Sequence, residues 1–369
     1  MIEKISMSSP DIDEQDQEAV LAILRSERLA LGPKAVEFEQ AIASYTGTQH
    51  AVAVSSGTAA LHLIVKALGI GPGDEVLVPS FTFAASVNAF LYEGALPVFV
   101  DIEGDTYNID PRDLERKITP RTRAIMAVDV FGHPAEWDEL LRIADKHGLK
   151  IIDDSCEALG AEFKGRRLGG FGDAAAFAFY PNKQMTTGEG GIVVTNDERT
   201  ARLCRSLRNQ GRAEMGSWLD HERLGYNYRM SEMSAALGVS QLKRIDEFLV
   251  KREQVASCYT ERLGRFDWVR PPVTRPDVRM SWFVYVATLV EGLNRDDVMR
   301  RMEAEGIPAR GYFSPIHEQP YIRKLNLGVD ELPVTESVAQ RTIALPFHNK
   351  LRSSQVDQVV AALASAVGR

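Results

Sequence analysis

The chain has 369 residues, 44% hydrophobic and 25% charged, with a formal net charge of −8. These values are ordinary for a globular protein with one large domain and a smaller one, and the acidic balance argues against broad nucleic-acid binding. No apolar run reaches the roughly 18 residues that cross a bilayer, so no membrane association is expected.

In chain order, residues 50 to about 195 alternate short β-branched runs with helical stretches. Strands are predicted over 51–54, 75–78, 97–100, 124–128 and 149–152, and helices over 58–68, 84–92 and 135–146. Asp110-Pro-Arg-Asp opens a further helix, with an acidic cap and proline at the first helical position. An aromatic strand then runs into Pro181, followed by Lys183, two threonines, a glycine-rich turn and the apolar run Ile192-Val-Val-Thr. This alternation predicts an α/β fold, a mainly parallel sheet covered on both faces that binds ligands beyond the carboxyl ends of its strands.

The character changes after Gly211. Ser231-Glu-Met-Ser caps a helical pattern running towards Arg265. A strand over 281–289 and helices near 295–305, 334–343 and 353–367 follow. The expected division is a large domain over 1–245 and a smaller α+β domain over 246–369. Cys156, Cys204 and Cys258 are odd in number and far apart, with neither metal spacing nor a disulfide framework. No signal-like segment opens the chain, and a cytoplasmic location is expected.

Four features fall at strand ends. Ser55-Ser-Gly-Thr opens a helix directly after a strand, where free N–H groups and the helix dipole suit a phosphate; Gly57 permits close approach and Thr58 adds a hydroxyl. Alone, this also reads as an ordinary capped helix. Ile151-Ile-Asp-Asp ends a strand in two acids, which suits a protonated pyridine nitrogen and, by type alone, a helix cap or a metal; no histidine or cysteine cluster supports a metal. In Pro79-Ser-Phe-Thr-Phe an aromatic side chain either covers a flat ring or belongs to the core. Lys183 either sits before a hairpin as a surface lysine or, in apolar surroundings that disfavour ammonium, condenses with an aldehyde. Phosphate cup, acid, ring cover and amine together describe a pyridoxal 5'-phosphate (PLP) site.

At this point the chain resembles the DegT–DnrJ–StrS family of PLP-dependent nucleotide-sugar aminotransferases. The matching segments run nearly end to end. They include Ser56-Gly-Thr-Ala-Ala-Leu, Gly71-Pro-Gly-Asp-Glu-Val, Asp153-Asp with Glu157-Ala-Leu-Gly-Ala, Lys183 with Thr186-Thr-Gly-Glu-Gly-Gly, Gly225-Tyr-Asn-Tyr-Arg-Met and Tyr312-Phe-Ser-Pro-Ile-His-Glu-Gln-Pro. The resemblance implies the PLP-transferase type I fold and a homodimer with shared active sites. Lys183 would carry the cofactor as a Schiff base, Asp154 would pair with the pyridine nitrogen and Phe83 would stack on the ring. Gly57 and Thr58 would hold the phosphate, joined by Asn227 from the partner subunit. Arg229, for which a core or surface-pair role reads equally well, and His317, which reads equally as a structural histidine, are the candidate substrate residues.

Three departures stand out. Ala178 replaces a serine phosphate ligand, and Asn182 or a water is the candidate substitute. Asp129 replaces a histidine, with no evident consequence from sequence. Glu157, near the cofactor's ring hydroxyl, is similar to the subgroup that aminates sugar carbon four, as perosamine synthases do. It equally reads as tuning hydrogen bonding alone. The implied reaction moves an amino group from an amino-acid donor, by resemblance glutamate, to a keto sugar of a nucleotide-linked sugar, expected to be a 4-keto-6-deoxy sugar. In it Lys183 is the general acid–base at a pKa lowered by its surroundings. Amination at carbon three and a non-catalytic PLP-binding regulator are the alternatives; no DNA-binding segment supports the latter. A dehydratase on the same fold would carry histidine in place of Lys183. The charged stretch Arg212–Arg223 reads either as a solvated loop or as a contact for a diphosphate.

Overall fold

The computed structural model describes residues 5–213, 220–328 and 331–368. Nine strands fall in the first two hundred residues: β1 (His50–Val54), β2 (Glu75–Pro79), β3 (Leu96–Val100), β4 (Thr122–Val128), β5 (Lys150–Asp154), the short hairpin β6 (Glu162–Phe163) and β7 (Arg166–Arg167), β8 (Ala174–Ala178) and β9 (Gly191–Thr195). Seven of them form one sheet in the order β1-β9-β8-β5-β4-β2-β3. The pairs β8–β5, β5–β4, β4–β2 and β2–β3 are parallel, as the alternation of strands and helices predicts, while β9 runs antiparallel to both neighbours. Residues 179–190 joining β8 to β9 contain no crossover helix, so the chain returns beside β8 in the opposite sense.

Alternation along the strands feeds two cores. Val52 and Val54 of β1 and Ile152 of β5 face one side, against the helix Gly57–Ala67 and the residues around Phe90. Ala51 and Ala53 face the other, against Phe38 and Phe248; Ile151 faces Trp137 and Leu140. Asp154 therefore shares a face with Ile152, and Asp153 shares the opposite one with Ile151.

Beyond β9 the chain adds a second, antiparallel sheet of β10 (Val269–Arg270), β12 (Tyr285–Leu289) and β13 (Thr342–Leu345), while β11 (Val278–Arg279) joins the β6–β7 hairpin. Helices Arg295–Ala304 and Ser353–Val367 bury Val298, Met302, Val359 and Leu363 in the core of this part. Helix Ile245–Leu263 is shared: Phe248 and Leu249 pack with Phe38, whereas Val255, Tyr259 and Leu263 pack with Tyr285.

Three elements differ from the sequence expectation. The pattern running from Ser231 towards Arg265 is two helices, Glu232–Leu242 and Ile245–Leu263, because the chain turns at Lys243-Arg244. There Arg244 Nη2 meets Asp16 Oδ2 at 2.5 Å and Nη1 meets Asp13 at 3.1 Å. The strand expected over 281–289 starts only at Tyr285. Before it, Ser281 and Phe283 donate their N–H groups to Gly132 and Phe131, and Trp282 is left-handed at φ 52, so this stretch is bound to a loop. The helix expected from 135 starts at Trp137, after Pro134 and Ala135.

One buried side chain ties these parts together. Arg252, 3% exposed on helix Ile245–Leu263, donates to the main-chain oxygens of Trp282 (2.9 Å), Phe283 (3.2 Å) and Lys183 (2.8 Å). Burial pulls its pKa down to about 10. Replacing it leaves three buried carbonyls without a charged donor, so Arg252→Leu is expected to lower unfolding free energy by about 3 kcal/mol. Urea denaturation of the two proteins measures this, and an unchanged midpoint would contradict it.

Candidate active site

A cavity of about 480 Å³ lies beyond the carboxyl ends of β1, β2, β4, β5 and β8. Each strand delivers a different group to it. After β1, Ser56 caps helix Gly57–Ala67 by accepting the Ala59 N–H at 3.1 Å, which leaves the N–H groups at Gly57 and Thr58 at the cavity wall. The approach there is very close. A Cβ on Gly57 would stand 2.7 Å from Ala178 Cβ and 2.9 Å from Cys156 Sγ, and one on Gly191 would stand 2.3 Å from the Ser56 oxygen.

After β2, Phe83 caps helix Ala84–Leu91 and is 64% exposed, so its ring face is open on the cavity. Asp154, at the end of β5, is 5% exposed. Its Oδ2 accepts from Ser86 Oγ at 2.6 Å, and Ser86 lies 2.8 Å from Thr82 Oγ1. The Cys156 N–H approaches Oδ1 at 3.2 Å. Two donors thus hold the carboxylate while it still faces the cavity. Burial first, and Asp154 second, push the Cys156 thiol up, so it stays protonated and is no candidate nucleophile.

Lys183 follows β8. Its Nζ lies 3.6 Å from Glu157 Oε1 and 3.8 Å from the centre of the Phe283 ring. The apolar surroundings expected from the sequence are therefore only part of the picture: a carboxylate and an aromatic face, both attractive to a cation, flank the amine. Glu157 is itself fixed, since its Oε2 accepts the Phe131 N–H at 3.0 Å. Burial raises its pKa against the opposing pull of Lys183.

The structure brings Gly57, Thr58, Phe83, Asp154, Glu157 and Lys183 around one cavity. Asn227, Arg229 and His317 do not line it. Asn227 is exposed between Tyr226 and Tyr228, whose rings stack at 5.0 Å and are tied to Glu93 and His62. Arg229 Nη1 donates to Asn209 Oδ1 at 2.9 Å. His317 is pinned between Ser80 Oγ (2.7 Å from Nδ1) and Glu336 (3.6 Å from Nε2), and burial lowers its pKa. Within the stretch 212–223, residues 214–219 lie outside the described residues. Sequence reasoning missed Ser86, Phe283, Tyr312 and Phe313 at the site. Ser86, one turn beyond Thr82 on the helix after β2, was the one with a readable signal.

These residues fit PLP on structural grounds. Gly57 keeps the cradle at the helix start free of side chain, the acid is held by two donors, and Asn182 Oδ1 is buried on the wall without a partner. Among the described residues no cluster of histidine, cysteine or carboxylate suits a metal ion, and no helix is long and apolar enough to cross a membrane.

The chain is similar to known proteins over nearly its whole length. The sequence model of the DegT/DnrJ/EryC1/StrS aminotransferase family matches residues 10–364. A GDP-perosamine synthase of Caulobacter vibrioides is 41% identical over 98% of this chain and 97% of its own. A dTDP-3-amino-3,4,6-trideoxy-alpha-D-glucose transaminase of Streptomyces venezuelae is 39% identical over 94% of this chain and 90% of its own. Among solved structures, the PLP form of Spr1654 from Streptococcus pneumoniae superposes with a TM-score of 0.93 at 30% identity, covering 99% of each chain. The family match, the identity to these relatives and the shared fold make this chain a member of the DegT/DnrJ/EryC1/StrS family of PLP-dependent sugar aminotransferases.

Proposed function

We propose that the protein transfers an amino group from glutamate to the C4 ketone of a nucleotide-linked 4-keto-6-deoxy sugar. The observation that carries this reading is the placement of the Lys183 amine and the Asp154 carboxylate in one cavity beside an open helix N-terminus. Bound PLP would supply an electron sink and a carbonyl able to carry an amino group. Asp154 would keep the ring nitrogen protonated, Phe83 would cover one ring face, and the start of helix Gly57–Ala67 would hold the phosphate with the Thr58 hydroxyl. Lys183 Nζ takes the proton from the donor's α-carbon, and the Glu157 carboxylate 3.6 Å away stabilises the ammonium so formed. The donor leaves as a 2-oxo acid and the sugar ketone becomes an amine.

The choice of carbon four rests on Glu157 and on the similarity to the perosamine synthase. The similarity to a transaminase whose name places the amine at carbon three supports the alternative. A homodimer belongs to the same reading. Asn227 is exposed and outside its own chain's cavity, as a residue meant for the partner's phosphate would be. Three free cysteines support a cytoplasmic setting.

Glutamate-dependent amination of GDP-, dTDP- and UDP-linked 4-keto sugars tests the assignment. A C4 amine from one of them supports it; a C3 amine, or PLP binding without turnover, contradicts it. On the accepted substrate, Lys183→Ala is expected to lower kcat by at least about 10³-fold and to remove the visible absorbance of lysine-linked PLP. Retention of either would remove Lys183 from its role. In the phosphate cup, Ala178→Ser restores one hydroxyl beside Gly57, worth about 1 kcal/mol, and is expected to tighten PLP about fivefold in an equilibrium titration. Unchanged or weaker binding would show that Asn182 or water already fills that contact.

A further inference from the structure

Behind the cavity, on the opposite face of β5, lies an acidic group that the reaction above does not use. Asp153 points away from Asp154 and meets Asp129 from the end of β4, and both are fully buried. Asp129 Oδ1 accepts the Ala135 N–H at 2.8 Å and the Trp137 indole N–H at 3.2 Å. Ser155 Oγ lies 2.7 Å from Asp129 Oδ2 and 2.7 Å from Asp153 Oδ1. A hydroxyl carries one hydrogen, so it donates to only one of these oxygens; the other short contact requires a proton on a carboxyl. Asp153 Oδ2 is buried with no donor aimed at it.

The stretch of chain that carries Asp129 also reaches both functional residues, the main chain of Asp154 and the carboxylate of Glu157. The Asp129 N–H donates to the Asp154 carbonyl at 3.2 Å. Two residues on, Phe131, held left-handed at φ 57, donates its N–H to Glu157 Oε2. Ser155 sits in the chain between Asp154 and Glu157. We propose that Asp129 and Asp153 share a single proton through Ser155, and that this one-proton pair positions Asp154 and Glu157 at the cavity. The functional half rests on the roles assigned to those two residues above.

The groups facing the pair are Trp137 from helix Trp137–His147, the Ala135 N–H from the preceding turn, and Ser155 and Asp154 from the end of β5. The charged one among these is another carboxylate. Burial first, and for Asp153 the neighbouring acids, raise the pKa of both members. A carboxyl whose folded pKa is raised stabilises the fold least above that pKa, so stability is lost as pH climbs from about 4 through the folded value.

Asparagine at 153 supplies an N–H in place of the shared proton and removes one titration. The melting midpoint of Asp153→Asn minus that of wild type, both saturated with PLP, is therefore expected to grow by about 2–4 °C between pH 5 and pH 8. A gap independent of pH, or one that shrinks, would overturn the shared proton. For positioning, Asp129→Asn is expected to keep the PLP dissociation constant within about threefold, while Asp129→Ala weakens it about tenfold or more. Equal loss in both, or none in Asp129→Ala, would overturn the positioning role. If Asp129→Ala does not fold, the pH-dependent gap and the Asn substitution at 129 still decide. Failure of the roles given to Asp154 and Glu157 would leave that gap intact and abolish only the cofactor effect.

Discussion

Asp154 pairs with Val128 of β4 and Ala176 of β8, and that parallel register decides where the other functional groups stand. It sets the ends of three strands side by side, so the loops after them meet over one cavity. A slip of one residue in β5 would exchange Asp154 for Asp153, turning Asp154 away from the cavity and bringing the second acid to it. Such a slip is opposed because it would carry Lys150 into the core position that Ile151 now fills. Catalytic placement and core packing are thus one constraint.

The antiparallel strand β9 adds to it. Because residues 179–190 return beside β8 without a helix, the Lys183 loop stays at the cavity. Arg252 then fastens the Lys183 carbonyl from the shared helix, and Phe283 from the chain before β12 lies under the amine. Lysine, counter-ion and ring face therefore come from separate stretches of chain. Movement of the C-terminal part against the large sheet would alter the setting of Lys183 through Arg252 and Phe283.

Much of this was legible in the sequence where one stretch of chain decides the outcome. The apolar runs of β1 to β5 announce strands buried on both faces, and Gly57, Phe83 and Lys183 follow as candidates in the loops beyond strand ends. What one stretch does not decide was not legible. Two adjacent acids end β5; the family resemblance picks Asp154, and the physical reason, the register and the packing of Ile151 and Ile152, shows only in the fold. Ser86, Phe283 and Arg252 act through contacts made across the fold. The helical pattern after Ser231 continues through Lys243-Arg244 on paper, and the turn there depends on Asp13 and Asp16 from the other end of the chain. Asp129 reads as an unexplained replacement until Asp153 and Ser155 are seen against it.

The central claim is that Lys183 is the residue joined to the cofactor. Borohydride reduction of the PLP-loaded protein, followed by digestion and mass spectrometry, fixes the attachment point directly. The account predicts a pyridoxyl-phosphate mass on the peptide carrying Lys183 and on no other lysine. The same mass on a different lysine, or on none, would contradict it.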